Sequence, residues 1–226
     1  MSIVFDNSSD RLLITSNIPA WTHPNSLTMM GWFRYAAGTG GLQTMFARIR
    51  DDVSAYEFVG LLSGGALYYE DSNGNNITGS TLSTNTWYHV AWTISITGTA
   101  TLYLDGVSAG TTSGAAKTGS PERLETGGWR STNGNRWNGD ISALKAWTRI
   151  LNSTDIGTEK DFAEVQDATS VYGAWYLQTA TDYLDQTGNL NHFTAVGTLT
   201  DSSNPPGVTF PSAGTTISRA MTMGFG

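Results

Sequence analysis

The chain has 226 residues, a length at which one all-β domain can enclose a substantial core. Its formal net charge is −7 and 14% of its residues are charged, so it lacks the basic surface that binds phosphates, and nucleic acid is not an expected partner. The absence of cysteine excludes disulfide bonds, thiolate metal sites and a cysteine nucleophile.

Neither a signal peptide nor a membrane span is expected from the sequence. Residues 1–6 lack the basic start and the apolar run of a signal peptide, and no window approaches the ~20 apolar residues of a membrane span. We therefore expect a protein that is made without a signal peptide and does not insert into a membrane.

Short apolar alternations, separated by Gly, Ser, Thr and Asn, recur along the whole chain. This rhythm is typical of an antiparallel sandwich rather than of βαβ units. The predicted strands are residues 3–5, 11–14, 27–35, 44–49, 55–62, 66–71, 76–78, 87–96, 99–104, 107–112, 122–127, 137–147, 171–177 and 193–199. One short helix is predicted over residues 152–162, with Asn152 as its N-cap, Asp155 in its first turn and Ile156 facing inward.

The central strands carry the clearest pattern. Residues 87–96 alternate between two largely apolar faces, as expected of a strand between two packed layers. Residues 99–104 return as a second strand, and Asp105-Gly106 suits the positive φ angles of a type I′ turn. The residues that we predict to contribute largely to the core are Trp32, Trp87, Val90, Trp92, Leu102, Leu104, Ile141 and Trp147.

The pattern W-x-H-V-A-x-T at residues 87–93, followed by L-Y-x-D-G at 102–106, resembles the jelly-roll modules of the laminin-G-like and concanavalin A-like lectin-glucanase group. Further similar segments are residues 27–33, 137–141, 151–156 and 185–192, the last of which is expected to supply the family's edge strand late in the chain. Residues 56–68, with Gly64-Gly65 between two strands, resemble a hairpin of the family. The resemblance implies an all-β fold. We expect a two-sheet antiparallel jelly-roll sandwich over residues 1–203 with one short helix, followed by an extended C-terminal arm over 204–226.

The resemblance also raises the question of catalysis. Glucanases of this fold share an E-x-D-x-E run, whose period of two places three carboxylates on one strand face. No such run occurs here, and His23, His89 and His192 are isolated in the sequence. We expect His89 to be an interior histidine with a backbone or hydroxyl partner, and His192 to shape its turn. The protein is therefore predicted not to be an enzyme, with a glycoside hydrolase of nonstandard site as an alternative.

Calcium is the cofactor that the resemblance implies, because members of the family often carry a calcium site. Asp182, Asp185 and Asn189 supply carboxylate and amide oxygens close together in sequence, and they are the predicted metal ligands. The turn at residues 71–76 offers similar oxygens but departs from the EF-hand pattern. The alternative is that these Asp, Asn and Gly residues merely form turns.

A glycan-binding surface would need an aromatic ring to stack on a sugar and polar groups to bind its hydroxyls. Trp21 and Trp129 fall in predicted loops, whereas the other tryptophans are assigned to the core or to structural positions. The predicted ligand-binding residues, with Trp129 as the stacking platform, are Trp129, Arg130, Asn133, Asp71, Asn73 and Asn75. A loop tryptophan can instead cap the end of the sandwich. The expected ligand is a glycan or cell-surface polysaccharide.

The C-terminal arm carries apolar side chains and almost no charge. We expect residues 208–226 to contact neighbouring subunits in a homo-oligomer or a larger assembly, the alternative being docking onto their own sandwich. Such an assembly would be a virion or an extracellular surface, with the protein as a phage decoration, head-fibre or tail component. The alternative function is that of a free-standing carbohydrate-binding, lectin-like module.

Overall fold

The computed structural model of the protein describes residues 2–19, 26–37, 40–50, 54–114, 120–129 and 135–211. Within these ranges the chain forms fifteen strands and one short helix. The strands are β1 (Ser2–Asp6), β2 (Arg11–Ile14), β3 (Leu27–Tyr35), β4 (Gln43–Ile49), β5 (Tyr56–Leu61), β6 (Ala66–Asp71), β7 (Asn76–Thr81), β8 (Trp87–Ile94), β9 (Thr99–Leu104), β10 (Val107–Ser113), β11 (Arg123–Thr126), β12 (Asn138–Trp147), β13 (Val171–Trp175), β14 (Thr194–Val196) and β15 (Thr200–Ser202), and the helix is α1 (Ser153–Glu159).

The strands form two antiparallel sheets that pack as a sandwich. The first sheet has eight strands, in the order β10-β9-β8-β3-β12-β1-β15, with β13 pairing beside β12. The second sheet has seven strands, in the order β14-β2-β11-β4-β5-β6-β7. The predicted all-β, two-sheet antiparallel jelly roll with one short helix is confirmed. The segment at 185–192, which was expected to supply an edge strand, forms no strand, so that prediction is wrong. The predicted strand at 193–199 forms the short edge strand β14 of the second sheet, and β15 was not predicted.

Alternate side chains of the central strands fill the space between the sheets. Val90 pairs with Leu104 and Trp92 with Leu102, so these positions of β8 and β9 face the same way. Val90, Trp92 and Leu102 are fully buried, and Leu104 packs against them from a half-buried position. Their placement in the core is confirmed, as is that of Ile141. The turn after β9 also forms as predicted, because Asp105 and Gly106 both adopt positive φ.

Three of the predicted core tryptophans lie on the other face of the first sheet. Trp32 and Trp87 are half-buried there, so their prediction as core residues is wrong. Trp147 is fully buried, but in a separate cluster beneath α1 rather than between the sheets. Successive side chains of a strand point to opposite faces of the sheet, so the residues next to inward-facing ones point outward. Both faces of this sheet are apolar, and the alternation alone does not tell them apart.

Helix α1 covers part of that outer face. Asn152 is the N-cap, and its side chain accepts a hydrogen bond from the backbone of Asp155, which reciprocates in a capping box. Ile156 is fully buried under the helix. These three predictions are confirmed, although the helix ends at Glu159, earlier than expected. This helix, which is the one helix of the described residues, is too short to cross a membrane.

The first residues of the C-terminal arm also lie on this face. Thr209 accepts a hydrogen bond from Ala163 N at 2.8 Å and donates one to Asp161 O at 2.9 Å. Val208 and Phe210, like Trp32, pack against the buried cluster of Ala143, Ala163 and Tyr176. The arm therefore begins by docking on its own sandwich. Its remainder, residues 212–226, lies outside the described residues, and its contacts with other subunits stay a prediction.

Candidate functional site

The outer face of the second sheet carries a cluster of aromatic side chains. On β5, Val59 points into the core, so Tyr56 and Phe58 point outward. Tyr68 of the neighbouring strand β6 lies on the same face. Phe58 is fully buried, while Tyr56 and Tyr68 are half-buried and present part of their rings to solvent. Trp129 of the loop after β11 completes this group, which we call the aromatic cluster.

Ring packing holds the aromatic cluster together. Trp129 stacks on Phe58 with ring centroids 5.1 Å apart and an interplanar angle of 26°, and its ring lies 4.8 Å from that of Tyr56. Phe58 in turn contacts Tyr68 at 5.8 Å. Trp129 is 8% exposed, so most of its ring is covered. Trp129 lies in a loop, as predicted. Because its ring is mostly covered, the half-buried Tyr56 and Tyr68 are better placed than Trp129 to stack on a ligand.

A single carboxylate links the two tyrosines. Glu70 accepts a hydrogen bond from the hydroxyl of Tyr56 at 2.8 Å through Oε1, and from that of Tyr68 at 2.8 Å through Oε2. Burial, followed by the hydrogen bond to Glu70, raises the pKa of each tyrosine to about 12. Both phenols therefore remain protonated donors at neutral pH. The arrangement offers ring faces for apolar contact and a fixed carboxylate for hydroxyl donors.

The turn at residues 71–76 lies beside this cluster. Its Ser72 N donates to Tyr56 O at 3.0 Å, so the structure brings the turn and Trp129 to the same end of the sheet. Asp71 is 1% exposed, and its Oδ1 accepts hydrogen bonds from the backbone of Asn73 and Asn75. The Asp71 carboxylate thus shapes the turn, while Asn73 is exposed beside the cluster. Their ligand roles stay predictions.

Other residues of the predicted site fall elsewhere or were missed. Arg130, Asn133 and Trp21 lie outside the described residues, as does His23. The residues that sequence reasoning did not assign to a site are Tyr56, Phe58, Tyr68 and Glu70. The sequence contained a pattern that could have revealed them. Tyr56 and Phe58, and likewise Tyr68 and Glu70, are two positions apart in one strand, which places both members of each pair on one face of the sheet. We interpreted these segments only as a hairpin.

Two of the three predicted calcium ligands, Asp185 and Asn189, are engaged with backbone groups, and the third, Asp182, accepts a hydrogen bond from Gln178 N at 3.2 Å. Asp185 accepts hydrogen bonds from Ala174 N and Thr187 N through Oδ1 and from Asn191 N through Oδ2, so both of its oxygens face N–H donors. Asn189 turns its amide nitrogen toward the carbonyls of residues 171 and 172. These side chains cap the free edge of β13. Among the described residues, no three His, Cys, Asp or Glu side chains are grouped to hold a metal.

This arrangement predicts that calcium does not stabilise the protein. Thermal unfolding followed in millimolar calcium and in EDTA should give melting temperatures within about 1 °C of each other. If calcium occupied a site at 100 times its Kd, the gain would be about 2.7 kcal/mol. A rise of roughly 5–10 °C, which corresponds to that gain in a chain of this size, would contradict our interpretation.

Two of the histidines have structural positions. His89 is 1% exposed, and burial, followed by the charges of Lys145 and Lys160, lowers its pKa to about 3. Its burial is confirmed, but its Nδ1 has no hydrogen-bond partner among the described residues. The predicted backbone or hydroxyl partner is therefore wrong for this nitrogen. His192 accepts a hydrogen bond from Asp185 N at 2.9 Å, which confirms that it shapes its turn.

The fold agrees with a family match. Residues 6–157 match the family described as the concanavalin A-like lectin/glucanases superfamily, and the chain belongs to it. No curated protein matches the chain.

Solved structures share the fold at low sequence identity. A heptameric, SAP-like pentraxin from Limulus polyphemus is 16% identical, with a TM-score of 0.63 over 88% of this chain and 92% of its own. A candidate carbohydrate-binding protein from Bacteroides ovatus is also 16% identical, with a TM-score of 0.64 over 91% of this chain and 61% of its own. The CBM40 of the Ruminococcus gnavus IT-sialidase, solved bound to α2,3-sialyllactose, is 10% identical, with a TM-score of 0.53 over 70% of this chain and 97% of its own.

Proposed function

We propose that this protein is a non-catalytic carbohydrate-binding module that holds a glycan on the outer face of its second sheet. The observation that carries the proposal is the aromatic cluster, in which Glu70 accepts hydrogen bonds from the hydroxyls of Tyr56 and Tyr68. Sugar rings present C–H faces that pack on aromatic rings, and hydroxyls that donate to carboxylates. Tyr56 and Tyr68 supply the first kind of contact and Glu70 the second.

The opposite outer face is less suited to a ligand. Helix α1 covers Trp147 on the first sheet, and Val208 and Phe210 pack against the same buried cluster as Trp32. Trp147 is therefore covered by protein, while Trp87, which is half-buried on that face, has the guanidinium group of Arg34 over its ring at 5.3 Å. The second sheet keeps two half-exposed tyrosines in a row, beside an exposed Asn73. Aromatic rings left exposed next to polar groups are a common mark of a binding surface.

Two solved structures that share the fold support a lectin-like function. The CBM40 neighbour was solved with α2,3-sialyllactose, and the Bacteroides neighbour is described as a candidate carbohydrate-binding protein. We infer the same class of ligand here, a glycan or cell-surface polysaccharide.

The chemistry of the cluster favours binding over hydrolysis. Glycosidases usually place two carboxyl groups on either side of the bond that breaks, whereas the tyrosines here share the single carboxylate of Glu70. A tyrosine nucleophile would need a lowered pKa, and burial raises the pKa of both Tyr56 and Tyr68 to about 12. A glycoside hydrolase with a nonstandard catalytic site is therefore the weaker alternative.

Removing one exposed ring should weaken glycan binding while the fold is kept. We expect Tyr68→Ala to lower affinity about tenfold or more, because it removes a stacking face and a donor to Glu70. Tyr68→Phe keeps the ring and loses only the hydroxyl, so its loss should be smaller. The measurement is retention on a glycan array, followed by calorimetry with the best ligand.

Tyr103→Ala is the matched control, because Tyr103 is also half-buried but packs in the cluster beneath α1. It should bind as well as the parent. If Tyr103→Ala lost binding and Tyr68→Ala did not, the site would lie on the first sheet. A parent protein that retains no glycan at all would reject the proposed function.

Assembly is a second, compatible part of the proposal. The pentraxin neighbour is heptameric, which is in keeping with a homo-oligomer on this fold. We propose that residues 212–226 contribute subunit contacts, and that the protein works in a virion or on an extracellular surface. Light scattering of the chain shortened after residue 211 would detect a smaller particle if the arm joins subunits.

A further inference from the structure

The face that carries the aromatic cluster continues to the edge of the second sheet. Glu70 of β6 pairs across the strands with Phe58 of β5 and with Asn76 of β7. Tyr68 of β6 pairs with Thr78 of β7 in the same way. Directly paired residues point to one face of a sheet, so Asn76 and Thr78 lie on the outer face, where both are exposed. The face therefore has aromatic rings on β5 and β6 and an uncharged polar margin on β7.

Glu70 is the charge that these three strands present on the outer face. Strands β5, β6 and β7 contain three charged residues, which are Glu57, Glu70 and Asp71. Glu57 and Asp71 pair with each other and are each 1% exposed. Asp71 follows Glu70 directly in β6, so the two side chains point to opposite sides of the sheet. The outer face of these strands is thus uncharged except for one half-buried carboxylate.

The hydrogen-bonding capacity left at the centre of this face consists of acceptors. The hydroxyl protons of Tyr56 and Tyr68 are both donated to Glu70, so the two phenol oxygens keep only lone pairs for a ligand. Each oxygen of the Glu70 carboxylate accepts one of these protons, and each can accept a second hydrogen bond. The indole N–H of Trp129 is buried without a partner among the described residues, so it is not presented at the surface.

We propose that this face takes a neutral sugar that donates two neighbouring hydroxyl groups to the Glu70 carboxylate, and that Glu70 excludes an acidic sugar from the same place. This rests on the proposed function and adds the class of glycan to it. Hydroxyls on adjacent ring carbons can donate to the two oxygens of one carboxylate, each of which has an acceptor position left. The uncharged Asn76 and Thr78 suit further hydroxyls of the same glycan.

A carboxylate or sulfate group of a ligand would meet two unfavourable effects on this face. Such a group carries no proton at neutral pH, so it cannot donate to the oxygens of Glu70, Tyr56 and Tyr68. It would also bring a second negative charge beside a half-buried carboxylate, where like charges repel more strongly than in bulk water. The selection therefore combines attraction of hydroxyl donors with repulsion of acids.

The first experiment changes only the charge of the glycan. The array carries the neutral polysaccharides amylose, galactomannan and galactan and the acidic polysaccharides polygalacturonate, hyaluronan and chondroitin sulfate. The neutral polysaccharide that the parent retains best is then oxidised at its primary hydroxyls to carboxylates, and a portion of this product is methyl-esterified. We expect the oxidised form to bind at least about tenfold more weakly than the starting glycan, and the neutral ester to recover most of that loss.

The same three glycans are tested on Glu70→Gln, with Glu164→Gln as the matched control. Glu164 is also half-buried, but it lies in the segment held against the first sheet by Lys145, so its replacement removes the same charge from another place. Glu70→Gln should bind the neutral glycan about tenfold more weakly and discriminate against the oxidised form less than about threefold. Glu164→Gln should behave as the parent does. Melting temperatures establish that both variants are folded, and the ester comparison in the parent needs no variant.

The second experiment locates the two hydroxyls. Derivatives of the repeating sugar, each methylated at one hydroxyl, compete with the retained polysaccharide. Methylation at two adjacent positions should weaken competition about tenfold each for the parent, and this dependence should be lost in Glu70→Gln. Sensitive positions that are not adjacent, or the same dependence in Glu70→Gln, contradict the contact with Glu70.

The outcomes separate this proposal from the proposed function. A parent that binds neutral and oxidised forms equally, or that retains an acidic polysaccharide best, overturns the neutral class and leaves a glycan-binding module standing. Exclusion of the methyl ester together with the acid shows that size rather than charge is selected, and it overturns the role of Glu70. Loss of binding in Tyr68→Ala with an unchanged Glu70→Gln supports the site and contradicts its selectivity. A parent that retains no glycan rejects both.

Discussion

Replacement of Lys145 by Met is expected to destabilise the protein by about 3–5 kcal/mol, because it leaves a carboxylate buried without its cation. Lys145 Nζ lies 2.6 Å from Glu159 Oε2, and each side chain is 1% exposed. The same ammonium group donates to the backbone oxygens of Glu159, Phe162 and Glu164. One cation therefore holds the end of α1 and the segment after it against the first sheet.

Burial lowers the pKa of Lys145, and the charge of Glu159 acts in the opposite direction. The matched control is Lys160→Met, which breaks an exposed pair with Asp161 and should cost less than about 1 kcal/mol. The double replacement of Lys145 by Met and Glu159 by Leu should recover much of the loss, since no charge then remains buried. Urea unfolding gives the free energy of unfolding of all three variants. Equal costs for Lys145→Met and Lys160→Met would show that the buried pair has no special role.

Trp92→Ala is expected to cost about 3–5 kcal/mol, because the indole is fully buried between the sheets and its removal leaves a cavity. Trp92 lies on β8 and contacts the ring of Tyr69, on the opposite sheet, at 5.8 Å. The substitution thus removes a contact that joins the two layers. Denaturant melts measure the cost, and a value under about 1 kcal/mol would reject this placement.

Trp92→Phe provides the control for ring size and polarity. Trp92 Nε1 is buried without a hydrogen-bond partner among the described residues. Replacement by phenylalanine removes the unsatisfied N–H, which favours the folded state, and it also removes part of the ring, which weakens packing. The two effects on the free energy of unfolding therefore oppose each other. We expect a cost of about 1 kcal/mol or less, well below that of the alanine variant. A cost equal to that of Trp92→Ala would mean that the indole N–H has an important partner.

Local features of this chain were predictable because they depend on neighbours in sequence. The strand that carries Trp92 and the turn at residues 105–106 follow from alternation and from backbone angles. Asn152 and Asp155 form the predicted capping box, since both partners lie within one turn of helix. The fold class followed as well, since the alternations and turns recur at the spacing of a sandwich.

The candidate site was predictable only in part. Trp129 and the turn at residues 71–76 were chosen for their loop chemistry, and they do lie at the same end of the second sheet. The open rings belong instead to Tyr56 and Tyr68, which look like ordinary strand residues in the sequence. Their shared contact with Glu70 joins two strands, and such a contact depends on register rather than on local composition.

The sequence by itself determined the strands, the turns, the helix cap and the membership of a β-sandwich class, because each depends on short-range backbone preferences. The tertiary structure decided which side of each strand is inside. Trp32 and Trp87 lie outside the core, although the same alternation places Trp92 within it. The period of two defines two faces, but burial depends on which layer packs against each face.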